Sequence, residues 1–182
     1  MHGHWFQPQQ SLRTLTNTSV PGNCDLKLAL TVLNTSAYRG IPAGPIALGP
    51  ELSQWLWERS REDPEFARAG LEVQRELAGS HIPHPRQAQI EGAPYRYHEM
   101  LGAVWRENLT GRTGLGEQSM LMATLMQCDG RDRSLIAALI RRSGLSPEVW
   151  LTHLFDRVTV PLYHLLCAYG IGLVAHGQNL GL

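Results

Sequence analysis

Over Leu26–Leu33 the chain alternates, with Leu26, Leu28, Leu30 and Val32 on one side and Lys27, Ala29 and Thr31 on the other. A period of two belongs to a half-buried strand. A second strand candidate, the threonine-rich Ser11–Thr18, lies just upstream. Val20-Pro21-Gly22-Asn23 between them is a turn signal. Two strands joined this way predict an antiparallel hairpin, which brings Arg13 and Thr14 towards Lys27. Ser11 begins the same polar segment and Arg39 follows the second strand. Lys27 is the only lysine among 16 basic residues. Its compact ammonium, beside hydroxyls and guanidinium groups, suits a phosphate. Composition alone favours a surface lysine on a half-buried strand.

Downstream, residues 34–50 are rich in glycine and proline and read as a long loop. A helix is predicted over Glu51–Glu62, with Leu52, Trp55, Leu56 and Arg59 on one side. Asp63-Pro64-Glu65 has the cap-then-proline order of another helix start, running to about Ala78 and ending at Gly79. Residues 80–94 read as irregular and Tyr95–Glu107 as a strand. Residues 109–116 form a glycine-rich turn, and the methionine-rich Glu117–Gln127 is expected as a strand. Leu135, Ile136, Leu139 and Ile140 have helical spacing, closed by Gly144. Ser146-Pro147-Glu148 opens a long helix to about Tyr169, containing Pro161 and ended by Gly170. The expected class is α+β: an antiparallel sheet, then helices. Residues 1–130 form the sheet-rich portion and 131–182 begin a helical one.

With 182 residues, 43% apolar and 18% charged, the chain can bury a core. A formal net charge of zero gives no reason to expect a nucleic-acid or membrane partner. Cys24, Cys128 and Cys167 lack metal or redox spacing, which fits free thiols in the cytoplasm. Met1-His2-Gly3-His4 is not the start of a signal peptide. His81-x-x-His84 contains Pro83 and is followed by Pro85, which exclude a helical ligand pair. No Walker loop, G-x-S-x-G or Cys/His signature occurs, so no covalent nucleophile is expected.

Four short motifs stand in order: Ser-Leu-Arg-Thr-Leu-Thr at 11–16, Asn-Thr-Ser-Ala-Tyr-Arg-Gly at 34–40, Trp-Arg-Glu-Asn at 105–108 and Ala-His-Gly-Gln-Asn at 175–179. With the lysine-bearing strand they resemble the IucA/IucC family, the siderophore synthetases that act independently of nonribosomal peptide synthetases. The resemblance runs from about Gln9 to the last residue and implies a partial chain of a larger, multi-domain and homodimeric synthetase. It implies ATP and Mg2+ as cofactors. Its substrates are a carboxylic acid of citrate or succinyl type and an amine or hydroxylamine, joined through an acyl adenylate. By resemblance Ser11, Arg13, Thr14 and Lys27 bind ATP phosphates. Arg39 faces the reacting carboxylate and phosphate; His176 and Asn179 reach ATP, acid and magnesium. Some family members carry an acid two positions before this histidine, where this chain has Val174. Trp-Arg-Glu-Asn suggests a structural arginine, Arg106, with no chemical step. A nucleotide-binding module without turnover is the alternative expectation.

Overall fold

The computed structural model describes residues 3–9, 11–20, 22–34, 37–87 and 89–182. The expected turn at 20–23, the Asn-Thr-Ser-Ala-Tyr-Arg-Gly motif and the Met1-His2-Gly3-His4 start include Pro21, Thr35, Ser36, Met1 and His2, which lie outside the described residues. The chain forms two compact units, residues 1–57 with 73–117 and residues 58–72 with 118–182.

The first unit is built on a five-stranded antiparallel sheet. Its strands are β1 (Phe6–Pro8), β2 (Thr14–Asn17), β3 (Asp25–Leu28), β6 (Glu76–His81) and β7 (Gly102–Arg106), in the order β1-β2-β3-β7-β6. The hairpin expected from sequence is β2–β3, with Thr14 opposite Lys27 and Leu15 opposite Leu26. The long alternating strand is interrupted at Ala29, whose N–H donates to the carbonyl of Gly102 at 3.1 Å. Beyond it, β4 (Leu30–Asn34) leaves the sheet and pairs with β5 (Ala37–Arg39) as a separate two-stranded ribbon.

The segment expected as a loop also holds the start of helix α1, which runs Ala43–Glu62 rather than beginning after Pro50. Pro50 has no N–H for the carbonyl of Ile46 four residues back. That carbonyl faces β6 instead, where a Cβ on Gly79 would come within 2.7 Å of it and 2.5 Å of Ile46 Cγ2. Glycine at 79 is what lets the helix seat on the sheet. Ile41, Ile46 and Val104 make the buried cluster there, with Ala29 packed against them. Ser53 Oγ ties α1 to β6 by accepting from the Glu76 N–H at 2.9 Å. This polar seam explains why α1 has no clean apolar stripe.

The Trp-Arg-Glu-Asn motif ends β7 and locks the sheet. The Glu107 carboxylate accepts from Arg75 and Arg112. Arg75 also lies over the Trp57 ring, 4.6 Å from its centroid. Buried Asn108 donates to Asp25 Oδ1 at 2.6 Å.

In the second unit, α2 (Pro64–Ala69) is shorter than expected, ending at Gly70 in the left-handed region (φ 68°). The residues predicted to extend it enter β6 instead. Asp63 caps α2 by accepting from the Glu65 N–H at 2.9 Å. It also accepts from His164 Nε2 at 2.9 Å and Tyr169 Oη at 2.8 Å, around the fully buried ring of Phe66. Helices α3 (Leu135–Ser143) and α4 (Pro147–Tyr169) follow the sequence reading, capped by Ser134 and Ser146 and ended by Gly144 and Gly170. Residues 117–127 are not a strand. They make a single bridge, Leu121 to Gly181, and then a 3-10 turn over Met122–Met126. Likewise Tyr95–Tyr97 is a 3-10 turn and β7 begins only at Gly102. No helix among the described residues is long and apolar enough to cross a membrane.

Candidate functional site

Residues directly opposite one another in neighbouring strands share a face. Thr14 is opposite Lys27, Lys27 opposite Val104, and Arg106 opposite both Asp25 and Glu76. Strand pairing therefore gathers Thr14, Asp25, Lys27, Glu76 and Arg106 on the face that also receives the start of α1. Arg13, in the turn before β2, donates from Nη1 to the carbonyls of Gly40 at 3.0 Å and Arg39 at 3.3 Å. This ties the end of β5 to the start of β2. Ser11 sits one turn earlier, its carbonyl accepting from the Thr14 N–H at 2.8 Å.

The electrostatics are those of a site with too much positive charge. Burial, then repulsion from Arg106 and Arg13, lowers the Lys27 ammonium to about 8, with Glu76 partly opposing the change. Burial, Arg39 and Arg106 likewise lower Arg13. Glu76 meets Arg106 at 3.3 Å. The other carboxylate on this face, Asp25, is buried, and burial raises it against hydrogen bonds from Asn108, Gln9 and Thr16. Gln9 Nε2 reaches it at 2.8 Å. Arg13, Lys27 and Arg106 are partly buried and Arg39 is exposed beside them, while Glu76 pairs with Arg106 and Asp25 is buried among hydrogen-bond donors, so positive charge is crowded here.

Arg106 was the residue for which sequence offered no chemical part. Its place in the cluster follows from β3–β7 pairing, which joins Asp25 to a residue 81 positions later. Only the shared Trp-Arg-Glu-Asn motif could have signalled it.

In the second unit the His-Gly-Gln-Asn segment is a tight turn. Asn179 Oδ1 accepts from the His176 N–H at 2.7 Å and its Nδ2 donates to the Val174 carbonyl at 2.7 Å. His176 Nδ1 accepts from the Gln178 N–H at 3.2 Å, which puts the neutral ring's proton on Nε2. Gly177 packs on the 3-10 turn, where a Cβ would lie 3.0 Å from the Ala123 nitrogen. Both ends of the Asn179 amide are engaged inside the turn, each in one hydrogen bond. Among the described residues no group of three His, Cys, Asp or Glu side chains could hold a metal ion. His81 Nε2 lies 2.8 Å from the His98 carbonyl, and His84 Nδ1 accepts from the Gln87 N–H.

Residues 1–127 match the IucA / IucC family. The chain belongs to that family. Residues 148–182 also match the ferric iron reductase FhuF-like transporter family. Aerobactin synthase of Escherichia coli is 50% identical over 180 residues, covering 99% of this chain and 31% of the relative. The solved aerobactin synthetase IucC of Klebsiella pneumoniae is 46% identical at a TM-score of 0.82, over 99% of this chain and 30% of that one. ATP-bound aerobactin synthetase IucA of the same species has the same fold, at 23% identity and a TM-score of 0.72, covering 97% of this chain and 32% of that one. The chain thus spans about 30% of the length of the curated relatives it matches. The α+β class and the partial span agree with the sequence reading. These relatives of the IucA/IucC chain include siderophore synthetases.

Proposed function

We propose that this chain carries the triphosphate-binding part of an ATP-dependent carboxylate–amine ligase of siderophore biosynthesis. The observation that carries the proposal is the crowding of Lys27 and Arg106, on one sheet face, with Arg13 from the turn before β2 and Arg39 from the end of β5. Arg13 and Lys27 offset the charge of the triphosphate, and the hydroxyls of Ser11 and Thr14 fix its orientation. A carboxylate oxygen of the acid, of citrate or succinyl type, attacks the α-phosphorus. The bond from that phosphorus to the bridging oxygen breaks and pyrophosphate leaves. Arg39 stabilises the charge that grows on the phosphoryl oxygens. The nitrogen of an amine or hydroxylamine then attacks the acyl carbon, loses a proton and expels AMP, leaving an amide. The Nε2–H of His176, in the second unit, is a donor of the kind that suits a carboxylate or a phosphate. Magnesium accompanying the nucleotide would take its ligands mainly from the phosphates. A relative of the same fold binds ATP, which supports the choice of nucleotide.

The test is ATP–pyrophosphate exchange driven by a panel of carboxylic acids, with this chain and any longer form of the protein, each also as Lys27→Ala and Arg39→Ala. Acid-dependent exchange that both substitutions abolish is the expected result and identifies the acid. ATP binding without exchange for any acid in the longest form refutes the ligase and leaves a nucleotide-binding module.

A further inference from the structure

On the sheet face that carries Lys27, Glu76 Oε1 accepts from Arg106 Nε at 3.3 Å, with the two side chains 20% and 28% exposed. We propose that Glu76 is a positioning residue of the phosphate site, holding Arg106 by Nε so that the outer Nη edge of the guanidinium meets the anion. This role rests on the phosphate-binding reading above and adds to it a residue that acts through another.

Glu76 reaches this face through an irregularity of the backbone. In β6, Gly79 is opposite Val104 and Ala78 opposite Trp105. Side chains alternate between faces along a strand, so strict alternation would put Glu76 on the side of Ala78, turned away from Val104 and Lys27. The register shifts between Glu76 and Ala78, and the extra residue, Leu77, brings Glu76 opposite Arg106. Bulges that re-aim a side chain in this way concentrate beside functional sites. Helix α1 then fixes the position. Ser53 Oγ accepts from the Glu76 N–H at 2.9 Å and lies 3.3 Å from its carbonyl oxygen. A Cβ on Gly49 would overlap Glu76 Oε2, so glycine there gives the carboxylate its room.

The contact leaves the useful edge of the arginine unspent. Among the described residues Arg106 makes no other hydrogen bond. Its two Nη nitrogens keep their N–H donors in one plane, the arrangement that grips an oxyanion bidentately. The other charged groups around it do not hold it. Lys27 and Arg13 repel it. Asp25, directly opposite on β3, is engaged elsewhere, Oδ1 accepting from Asn108 and Oδ2 from Gln9. Without Glu76 the side chain is pushed from the site by like charge. Arginine also has much rotamer freedom, and fixing it before the anion arrives reduces what binding must order. A carboxylate by itself repels an anion. Position and charge therefore predict opposite signs for the loss of Glu76.

The experiment titrates tripolyphosphate by calorimetry at pH 7 into the longest form of the protein, unsubstituted and as Glu76→Ala, Glu76→Gln, Arg106→Gln and the Glu76→Ala/Arg106→Gln pair. Glu76→Ala is expected to weaken binding about five- to tenfold, although it removes a negative charge, a size within the coupling range of residues in contact. Glu76→Gln offers Nε a carbonyl oxygen at the same reach and is expected to recover most of that loss. In the Arg106→Gln background, Glu76→Ala is expected to change affinity less than about twofold, since the residue through which it acts is gone. Affinity that is unchanged or tighter in Glu76→Ala overturns the role and leaves Glu76 as a mere counter-charge. Glu76→Gln as weak as Glu76→Ala overturns it too, as does the same loss with and without Arg106, which marks a general disturbance of the fold. Failure of the unsubstituted protein to bind tripolyphosphate refutes the phosphate-binding reading itself.

Discussion

Removing the charge of Lys27 should make the ligand-free protein more stable. Lys27→Met keeps the apolar stem and deletes the ammonium. In the folded chain the group titrates at about 8 against an ordinary 10.5, through burial first and then repulsion from Arg106 and Arg13. At about 1.36 kcal/mol per unit, holding it charged at pH 7 costs the fold about 3 kcal/mol. The sign follows from proton uptake. Between pH 8 and 10.5 the unfolded chain binds a proton that the folded chain has lost, so stability rises with pH across that window. Below pH 8 both states are charged and the cost is constant. The advantage of Lys27→Met should therefore be about 3 kcal/mol at pH 7 and shrink to about 1 kcal/mol near pH 9.5. Urea titration followed by tryptophan fluorescence, at pH 7, 8.5 and 9.5, measures it. At a slope of about 2 kcal/mol per molar urea, the midpoint at pH 7 should rise by about 1.5 M. A variant no more stable than the original at pH 7, or an advantage that does not change with pH, would refute the claim that this lysine is kept charged at a cost. Tripolyphosphate binding should fall in the same variant, the usual exchange of stability for function at a binding site.

Other expectations follow from single contacts. Glu107→Ala leaves the guanidinium groups of Arg75 and Arg112 without their carboxylate, whose side chain is 13% exposed. It should cost about 2–4 kcal/mol in thermal or urea unfolding, somewhat less than a fully buried pair because the arginines are partly solvated. Burial opposes ionisation of Glu107, yet hydrogen bonds from Arg75 and Arg112 hold its pKa below the usual value. The original chain should lose this contribution as pH falls through that lowered value, and Glu107→Ala should show a flatter acid limb. Gly79→Ala drives a methyl to 2.5 Å from Ile46 Cγ2, with an expected loss of about 1–3 kcal/mol in thermal unfolding. Asp63→Ala removes the α2 cap and the partner of His164 and Tyr169. It should destabilise by at least about 1 kcal/mol above pH 4. The His164 hydrogen bond chiefly holds Asp63 down to about 2, so the difference should vanish as pH falls from 4 towards 2 in acid titration by circular dichroism.

Much of the local structure could be read in the chain. The β2–β3 hairpin follows from threonine content, the turn at 20–23 and a period of two. Helix α3 follows from its apolar spacing and closing glycine, and α4 from Ser146-Pro147-Glu148 and Gly170. All these signals act over a few residues, where backbone geometry and local hydrogen bonds decide the outcome. Methionine-rich 117–127 had no such signal. It is an apolar run without a period, and its backbone partners lie at Leu180–Leu182. Pro50 misled for a related reason: a helix tolerates it when another element accommodates the freed carbonyl, and Gly79 does so from β6.

The same division holds at the candidate site. By itself the sequence determined which groups a phosphate site could use: one lysine, the Arg13–Thr14 turn and Arg39, close together along the chain. Tertiary structure alone decided that Arg106 and Glu76 join them, because β3–β7–β6 register is a property of the assembled sheet. It also decided that Lys27 is half-buried rather than a solvated strand lysine, since α1 seats on that face only where Gly79 admits it. Local rules specify conformation one segment at a time. Desolvation, charge crowding and cavities arise only when segments distant in the chain are packed together.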